Sequence, residues 1–137
     1  RILMTDFVQG QTLEELYSNA YAFVLPSDVE GMALSLLEAM SYGNCCLISN
    51  IPENTEVVHE KAMWFEKGNA MDLQEKLQML LNDSGLVKKY KTEAAPYILG
   101  RYSWDIVVDQ MLRVYAGDVV DYDTVLRERE CSSGEKV

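Results

Sequence analysis

Residues 26–40 have the sequence PSDVEGMALSLLEAM, and this stretch decides the fold that we predict for the whole chain. It follows an apolar run at 22–25 that is typical of a buried strand, and it passes through a polar turn with Gly31 into a helix. Parallel α/β proteins bind phosphorylated ligands where such a loop enters a helix N-terminus. The stretch therefore predicts an α/β fold with a ligand site at the start of this helix.

The helix predicted over 33–42 is apolar around most of its circumference, so we expect it to be buried. Its polar side chains, Ser35, Glu38 and Tyr42, are spaced three and four residues apart and form one narrow stripe. A carboxylate in such a place needs a partner or a wet cleft, because burying an isolated charge is costly. We therefore predict that the stripe lines a ligand cleft.

Strand and helix patterns alternate on both sides of this stretch. We predict four strands, over residues 2–8, 22–25, 45–48 and 62–65. The helices between them are predicted to begin at a capping box of Thr12 and Glu15, to span 33–42 with Gly43 as terminator, and to span 53–60. This alternation is typical of right-handed βαβ units and predicts a small Rossmann-like parallel sheet flanked by helices.

The remainder of the chain has a helical pattern. A leucine stripe over 73–81 predicts an amphipathic helix capped by Asn69 or Asp72. A polar helix is predicted to follow as far as Leu99, with a kink or break at Pro96. The leucine stripe over 73–81 and an apolar stripe over 104–115 are both expected to be core seams.

The chain ends in a C-terminal helical segment, in which Ser103 caps a helix with an apolar stripe over 104–115. Part of that stripe is expected to be exposed. We predict one domain over 1–117 and a charged tail over 118–137, to which we assign no function. Because the chain starts with Arg1 and enters a strand-like run at once, we expect it to belong to a longer protein.

The net charge of −10 argues against nucleic-acid binding, because an acidic surface repels phosphate backbones. A phosphorylated ligand would take part of its positive potential from backbone amides and a helix N-terminus, and the rest from outside this chain. No apolar run approaches the roughly 18 residues that cross a bilayer. Together with cysteines that are typical of a reducing compartment, these features predict a cytoplasmic protein.

Cysteine and histidine residues do not predict a metal site. The three cysteines, Cys45, Cys46 and Cys131, have neither the number nor the spacing of a disulfide framework or a zinc site, and we expect small buried thiols. His59, the only histidine, is expected to lie at the end of a short helix. The lysines at 88, 89 and 91 are expected to form a solvated face rather than a membrane contact.

Glu30 and Glu38 are separated by seven residues, with Gly31 directly after the first and Leu37 directly before the second. This spacing resembles the signature of retaining glycosyltransferases of family 4, whose GT-B fold has two Rossmann-like domains facing a cleft. The resemblance covers about residues 2–116 and includes LYSNA at 16–20, FVLPS at 23–27, LEAM at 37–40 with Gly43, PENTEVV at 52–58, YSW at 102–104 and Tyr115. It implies that this chain is the C-terminal half of a GT-B enzyme.

The resemblance also implies roles for individual residues. Glu30 would lie beside the donor sugar as the catalytic-site carboxylate and bond its hydroxyls, and Glu38 would accept hydrogen bonds from the ribose. A carboxylate can take two vicinal hydroxyls at once, each such bond contributing about 1.5 to 3 kcal/mol. The sugar and diphosphate would be approached by the backbone amides of Gly31, Met32, Ala33 and Leu34. Leu34 and Glu38, one turn apart, would hold ligand groups about 6 Å apart along the helix.

Two departures from the family pattern limit what the chain can do alone. Ala33 stands where many members have a second glycine, so the loop has less freedom at positive φ. The basic pair that clamps the diphosphate in the family, an arginine and a lysine, lies upstream of the matching region, as does the N-terminal acceptor-binding domain. We therefore expect the isolated chain to be catalytically inert.

The function predicted from this resemblance is transfer of a hexose from a nucleoside diphosphate sugar, UDP being the expected nucleotide, to a saccharide or lipid-linked acceptor. No metal and no separate cofactor are expected. Two alternatives stay open: a non-catalytic glycosyltransferase-like binding or scaffold module, and, less favoured, a GT-B-fold sugar-nucleotide epimerase. Peripheral association of the full-length enzyme with the inner face of the membrane also stays open.

Overall fold

The computed structural model describes residues 2–118, and over that range it contains a three-stranded parallel sheet. The strands are β1 (Phe23–Leu25), β2 (Cys46–Ser49) and β3 (Met63–Phe65), in the spatial order β1-β2-β3. Phe23 pairs with Cys46, and Leu47 pairs with Met63. The predicted α/β class with a small parallel sheet flanked by helices is confirmed.

Six helices are present among residues 2–118. They are α1 (Gln11–Asn19), α2 (Leu34–Ser41), α3 (Pro52–Val58), α4 (Ala70–Asn82), α5 (Ser84–Arg101) and α6 (Trp104–Tyr115). None of them is long and apolar enough to span a membrane. The chain divides after Ile98 into two compact units, and the sheet belongs to the first. Apart from Asp118, the predicted charged tail lies outside the described residues, as does Cys131.

The core of the first unit is built around β2, whose four residues are all buried. Cys45 and Leu47 pack on one face with Met63, Phe65, Leu80 and Val87. Cys46 and Ile48, which alternate with them along the chain, are also fully buried, so both faces of this strand are covered. Cys45 and Cys46 are free thiols, as predicted.

Helix ends follow the predicted signals at several points. Gly43 ends α2 at a φ of 72°, and its N–H bonds the Met40 carbonyl at 2.9 Å. Asn69 caps α4 through two bonds of 3.1 Å to backbone amides, and Ser103 caps α6. His59 lies at the end of α3, as expected, where its ring edge contacts Tyr97.

Two predictions about the first twenty residues are wrong, and of the kink or break predicted at Pro96 the break is absent. Residues 2–8 form no strand, and Met4 is 91% exposed, because none of the described strands pairs with this segment. The capping box is absent: α1 begins at Gln11 after Gly10, and Glu15 accepts a bond from the Gln11 side chain instead. α5 continues unbroken through Pro96.

Two apolar or charged faces also differ from expectation. The leucine stripe of α4 buries Leu80 and packs Leu73 and Leu77 against the core, but Leu81 is exposed. Lys91 is not part of a solvated face, because its Nζ donates to the Ala20 carbonyl at 2.5 Å. In the second unit, every residue of the predicted α6 stripe is exposed, and Ile106, which was not assigned to that stripe, is the buried residue of the helix. The stripe residues are Trp104, Val107, Val108, Met111, Leu112 and Tyr115.

Candidate functional site

Glu30 lies in the loop that follows β1, at the carboxyl edge of the sheet. Ser27 Oγ donates a hydrogen bond of 2.6 Å to Glu30 Oε1. The Ser27 carbonyl accepts a second bond of 2.6 Å from Ser49 Oγ, and Ser49 is the last residue of β2. The half-buried Glu30 carboxylate is therefore held close to the ends of two neighbouring strands.

The loop then enters α2 at Ala33, which is only 3% exposed. Ala33 is the N-cap residue, makes no side-chain capping bond, and is followed by no acidic residue in the first turn. A Cβ added at Gly31 would meet no atom within 4 Å, so this part of the loop is accessible. Leu34 N–H bonds the Met32 carbonyl at 2.9 Å. An uncapped helix start of this kind presents positive potential to an anion.

Glu38 lies one turn into α2 and is exposed. Its Oε2 accepts a long bond of 3.4 Å from the Tyr17 hydroxyl. The Tyr17 ring stacks on Tyr42 with 5.5 Å between centroids. Burial, followed by the neighbouring Glu38 carboxylate, raises the pKa of Tyr17. Tyr17 of α1 and Tyr42 of the polar stripe thus form an aromatic pair beside the Glu38 carboxylate.

The prediction that α2 is buried almost all round is wrong at its start. Leu34, the first residue of α2, is 65% exposed, and Met32 in the preceding loop is 54% exposed. Leu34 and Glu38 are four residues apart and so lie on the same helical face, which is open to solvent. Leu36, Ala39 and Met40 form the opposite, buried face, as predicted.

Two further polar residues at this edge were not singled out from the sequence. Ser49 is 1% exposed and Asn54 is fully buried. Asn54 Nδ2 lies 3.4 Å from Ser49 Oγ, and Asn54 Oδ1 is buried without a hydrogen-bond partner among residues 2–118. Their position in the sequence could have identified them, because polar residues that follow parallel strands lie at the edge of the sheet where ligands bind.

The charged side chains of the segment that contains this site are all acidic. Between Arg1 and Lys61 the sequence has nine aspartates and glutamates and no lysine or arginine. Lys61, the first cation after the site, is paired with Glu93 at 3.0 Å. Within residues 2–118, no group of three or more His, Cys, Asp or Glu side chains could hold a metal ion. A diphosphate here would meet backbone dipoles but no cationic side chain from residues 2–60.

The fold matches one part of glycosyltransferases with the GT-B architecture. The chain matches a sucrose-phosphate synthase from Thermosynechococcus elongatus with a TM-score of 0.71 at 23% identity, over 77% of this chain and 27% of that one. It matches TarM with a TM-score of 0.68 at 21% identity, over 77% of this chain and 22% of that one. These similarities establish the architecture.

The family follows from the sequence comparison. A family model described as glycosyl transferases group 1 matches residues 1–96, and the chain belongs to this family. It is 28% identical over 117 residues, 84% of its length and 30% of the relative's, to an uncharacterized glycosyltransferase of Methanocaldococcus jannaschii. It is 34% identical over 103 residues to N,N'-diacetylbacillosaminyl-diphospho-undecaprenol alpha-1,3-N-acetylgalactosaminyltransferase of Campylobacter jejuni, covering 74% of this chain and 27% of that protein.

These comparisons confirm the predicted resemblance to glycosyltransferases. The chain spans less than a third of the length of either relative. Its membership of the retaining family 4, its place as a C-terminal half, and the individual site residues stay predictions.

Proposed function

We propose that this chain is the donor-binding part, in the C-terminal half, of a retaining glycosyltransferase of family 4. The longer enzyme transfers a hexose from a nucleoside diphosphate sugar, with UDP as the expected nucleotide, to a saccharide or lipid-linked acceptor. The observation that carries this proposal is the pair Glu30 and Glu38, placed in the loop after β1 and on the open face of α2 of a group 1 domain.

The two carboxylates take the two ends of the donor in this proposal. Glu30 bonds hydroxyls of the sugar, while the hydroxyl of Ser27 occupies part of its acceptor capacity. Glu38 accepts from the ribose hydroxyls, which replace the long contact from Tyr17. Charge-assisted bonds of this kind are about twice as strong as neutral ones, so they fix the donor along the exposed face of α2.

The diphosphate lies at the start of α2, over the backbone of Gly31, Met32, Ala33 and Leu34. Its negative charge grows as the bond to the sugar breaks, and aligned peptide dipoles stabilise that charge without reorganising. Because residues 2–60 supply no cation, the remaining positive charge comes from the rest of the enzyme. No metal or separate cofactor enters this scheme. The acceptor attacks from the face on which the diphosphate leaves.

The acceptor and the location are proposed from the relatives. The Campylobacter jejuni relative is named for a diphospho-undecaprenol acceptor, and an Escherichia coli relative, 30% identical over 104 residues, is a serotype-specific mannosyltransferase. These names support a role in polysaccharide biosynthesis with a saccharide or lipid-linked acceptor bound by a separate N-terminal domain. A cytoplasmic enzyme working at the inner face of a membrane fits such an acceptor.

Replacing Glu38 by alanine is expected to weaken UDP binding tenfold or more, because the ribose loses a charged acceptor of about 1.5 to 3 kcal/mol. Titration calorimetry of the 137-residue chain with UDP measures this change. Glu75→Ala on α4 is the matched control, since it removes the same charge from an exposed helical position. Equal binding by the Glu38 and Glu75 variants, or no binding by the wild type, would favour the non-catalytic scaffold.

The isolated chain is expected to transfer no sugar, even when it binds UDP. Residues 2–60, which include the proposed donor site, have no cationic side chain for the leaving diphosphate, and the acceptor domain is proposed to lie elsewhere in the enzyme. A radiolabelled UDP-sugar, incubated with the chain and an undecaprenyl-diphosphate-linked saccharide, tests this expectation. Measurable turnover by the chain alone would contradict it.

A further inference from the structure

A chain of polar contacts connects the interior of the first unit to Glu30. It begins at Asn54 on α3, whose Nδ2 lies 3.4 Å from Ser49 Oγ. Ser49 Oγ donates to the Ser27 carbonyl at 2.6 Å, and Ser27 Oγ donates to Glu30 Oε1 at 2.6 Å. These contacts thus connect α3, through the last residue of β2, to the loop after β1.

The two inner residues of this series of contacts, Asn54 and Ser49, have little conformational freedom. Asn54 and Ser49 are almost completely excluded from solvent, and the Ser49 bond fixes the backbone of Ser27. The outer bond is of the strong type, because an O–H donor facing an ionised carboxylate at 2.5 to 2.7 Å is charge-assisted. The buried residues therefore restrict the position of Ser27, and Ser27 in turn restricts the orientation of the half-buried Glu30 carboxylate.

Among the residues that the structure describes, the Glu30 carboxylate has no hydrogen bond other than the one from Ser27. Glu30 is followed by Gly31, whose surroundings are open, and both residues lie outside regular secondary structure. A glutamate in such a loop samples several rotamers in solution unless a partner selects one. Ser27 supplies that partner and occupies one carboxylate oxygen, so the remaining acceptor sites have a defined direction.

We infer that Ser27, held in place by Ser49 and Asn54, is a positioning residue that aims the Glu30 carboxylate at the sugar of the donor. This inference rests on the proposed function and deepens it. It assigns recognition of the hexose to a preorganised serine–glutamate pair, while Glu38 on α2 recognises the nucleoside. Loss of Ser27 therefore affects binding of the sugar and leaves binding of the nucleotide unchanged.

The test compares UDP with UDP-glucose, UDP-galactose and UDP-N-acetylgalactosamine by calorimetry on the 137-residue chain. We expect the wild type to bind at least one UDP-sugar more tightly than UDP. Ser27→Ala is expected to weaken that UDP-sugar about three- to tenfold, the range for one hydrogen bond, without changing the Kd for UDP. Ser27→Thr, which keeps the hydroxyl, is expected to restore binding, and the exposed Ser18→Ala on α1 is the control.

A double-mutant cycle separates positioning from a structural role. In a Glu30→Ala background, Ser27→Ala is expected to cause no further loss, because the serine then has no carboxylate to aim. Additive losses, or equal losses for UDP and the UDP-sugar, would overturn the inference. So would a wild type that binds every UDP-sugar no more tightly than UDP.

Failure of the inference and failure of the proposed function give different results. If the wild type binds UDP through Glu38 but Ser27→Ala leaves sugar recognition intact, only the positioning role is lost. If the wild type binds none of the four nucleotides, the proposed donor site is absent and the positioning role falls with it.

Discussion

Raising the pH from 9.0 to about 11 is expected to lower the free energy of unfolding by about 4 kcal/mol through Cys45 and Cys46 alone. Burial raises the pKa of Cys45 from 9.0 to about 11, although nearby Lys91 lowers it slightly. Burial and then the neighbouring Cys45 raise the pKa of Cys46 to about 12. Above pH 9 the unfolded chain loses thiol protons that the folded chain keeps. Stability therefore falls as pH rises, by up to about 1.4 kcal/mol per pH unit and thiol.

Urea unfolding in a reducing buffer, repeated at steps across this range, measures the effect. The control is the double variant Cys45→Ala with Cys46→Ala, whose stability is expected to fall less steeply with pH. Tyr17 and Tyr90 are present in both proteins, and burial raises the pKa of both. Cys46 adds to the shift of Tyr17 and Cys45 to that of Tyr90, so the difference between the two pH profiles measures the thiols together with their coupling to these tyrosines. Parallel pH profiles for the two proteins would show that the buried thiols do not govern alkaline stability.

Replacing Leu47 by alanine is expected to lower the free energy of unfolding by about 2 to 5 kcal/mol. Leu47 is fully buried on the central strand β2, where it pairs with Val24 on one side and Met63 on the other. Its side chain belongs to the cluster that joins the sheet to α4 and α5. The substitution removes buried methyl groups and leaves a cavity, because strands on both sides prevent the backbone from closing around it.

Leu81→Ala is the matched control for this measurement. Leu81 lies on α4 and is 65% exposed, so the same truncation there removes little buried surface. Its effect is expected to stay within about 0.5 kcal/mol. Chemical denaturation of both variants at neutral pH gives the comparison. A loss at Leu47 no larger than that at Leu81 would mean that β2 is not the centre of the folding unit.

Much of the fold could be predicted from local sequence signals. The strands β1, β2 and β3 lie within one residue of their predicted positions, because each is a short apolar run bounded by polar or turn-forming residues. Gly43, Asn69 and Ser103 mark helix ends where their backbone freedom or side-chain acceptors are needed. These signals act within a few residues and so are visible in one sequence.

The failures concern features that depend on distant partners. Residues 2–8 have the composition of a strand, but a strand also needs a neighbour, and composition does not supply one. The break expected at Pro96 concerned one missing backbone bond, whereas packing of α5 residues such as Val87, Ala94 and Ile98 outweighs that loss. Tertiary contacts decide both cases.

The features of the candidate site also fall into those that local sequence predicts and those that depend on distant partners. Glu30, Glu38 and the loop between them could be predicted because their spacing is a local signature. The contacts from Ser49 to Ser27 and from Tyr17 to Glu38 could not, because each joins residues more than twenty positions apart. They depend on strand register and on helix packing, which only the folded chain specifies.

The order β1-β2-β3 has a consequence for how the first unit assembles. Each strand pairs with the next strand in the chain, and a single helix joins each pair. Loop-closure costs are therefore moderate for a parallel sheet, and no strand has to wait for a later one to be inserted beside it. On the ribosome such a sheet can grow vectorially, one strand at a time, in the direction of synthesis.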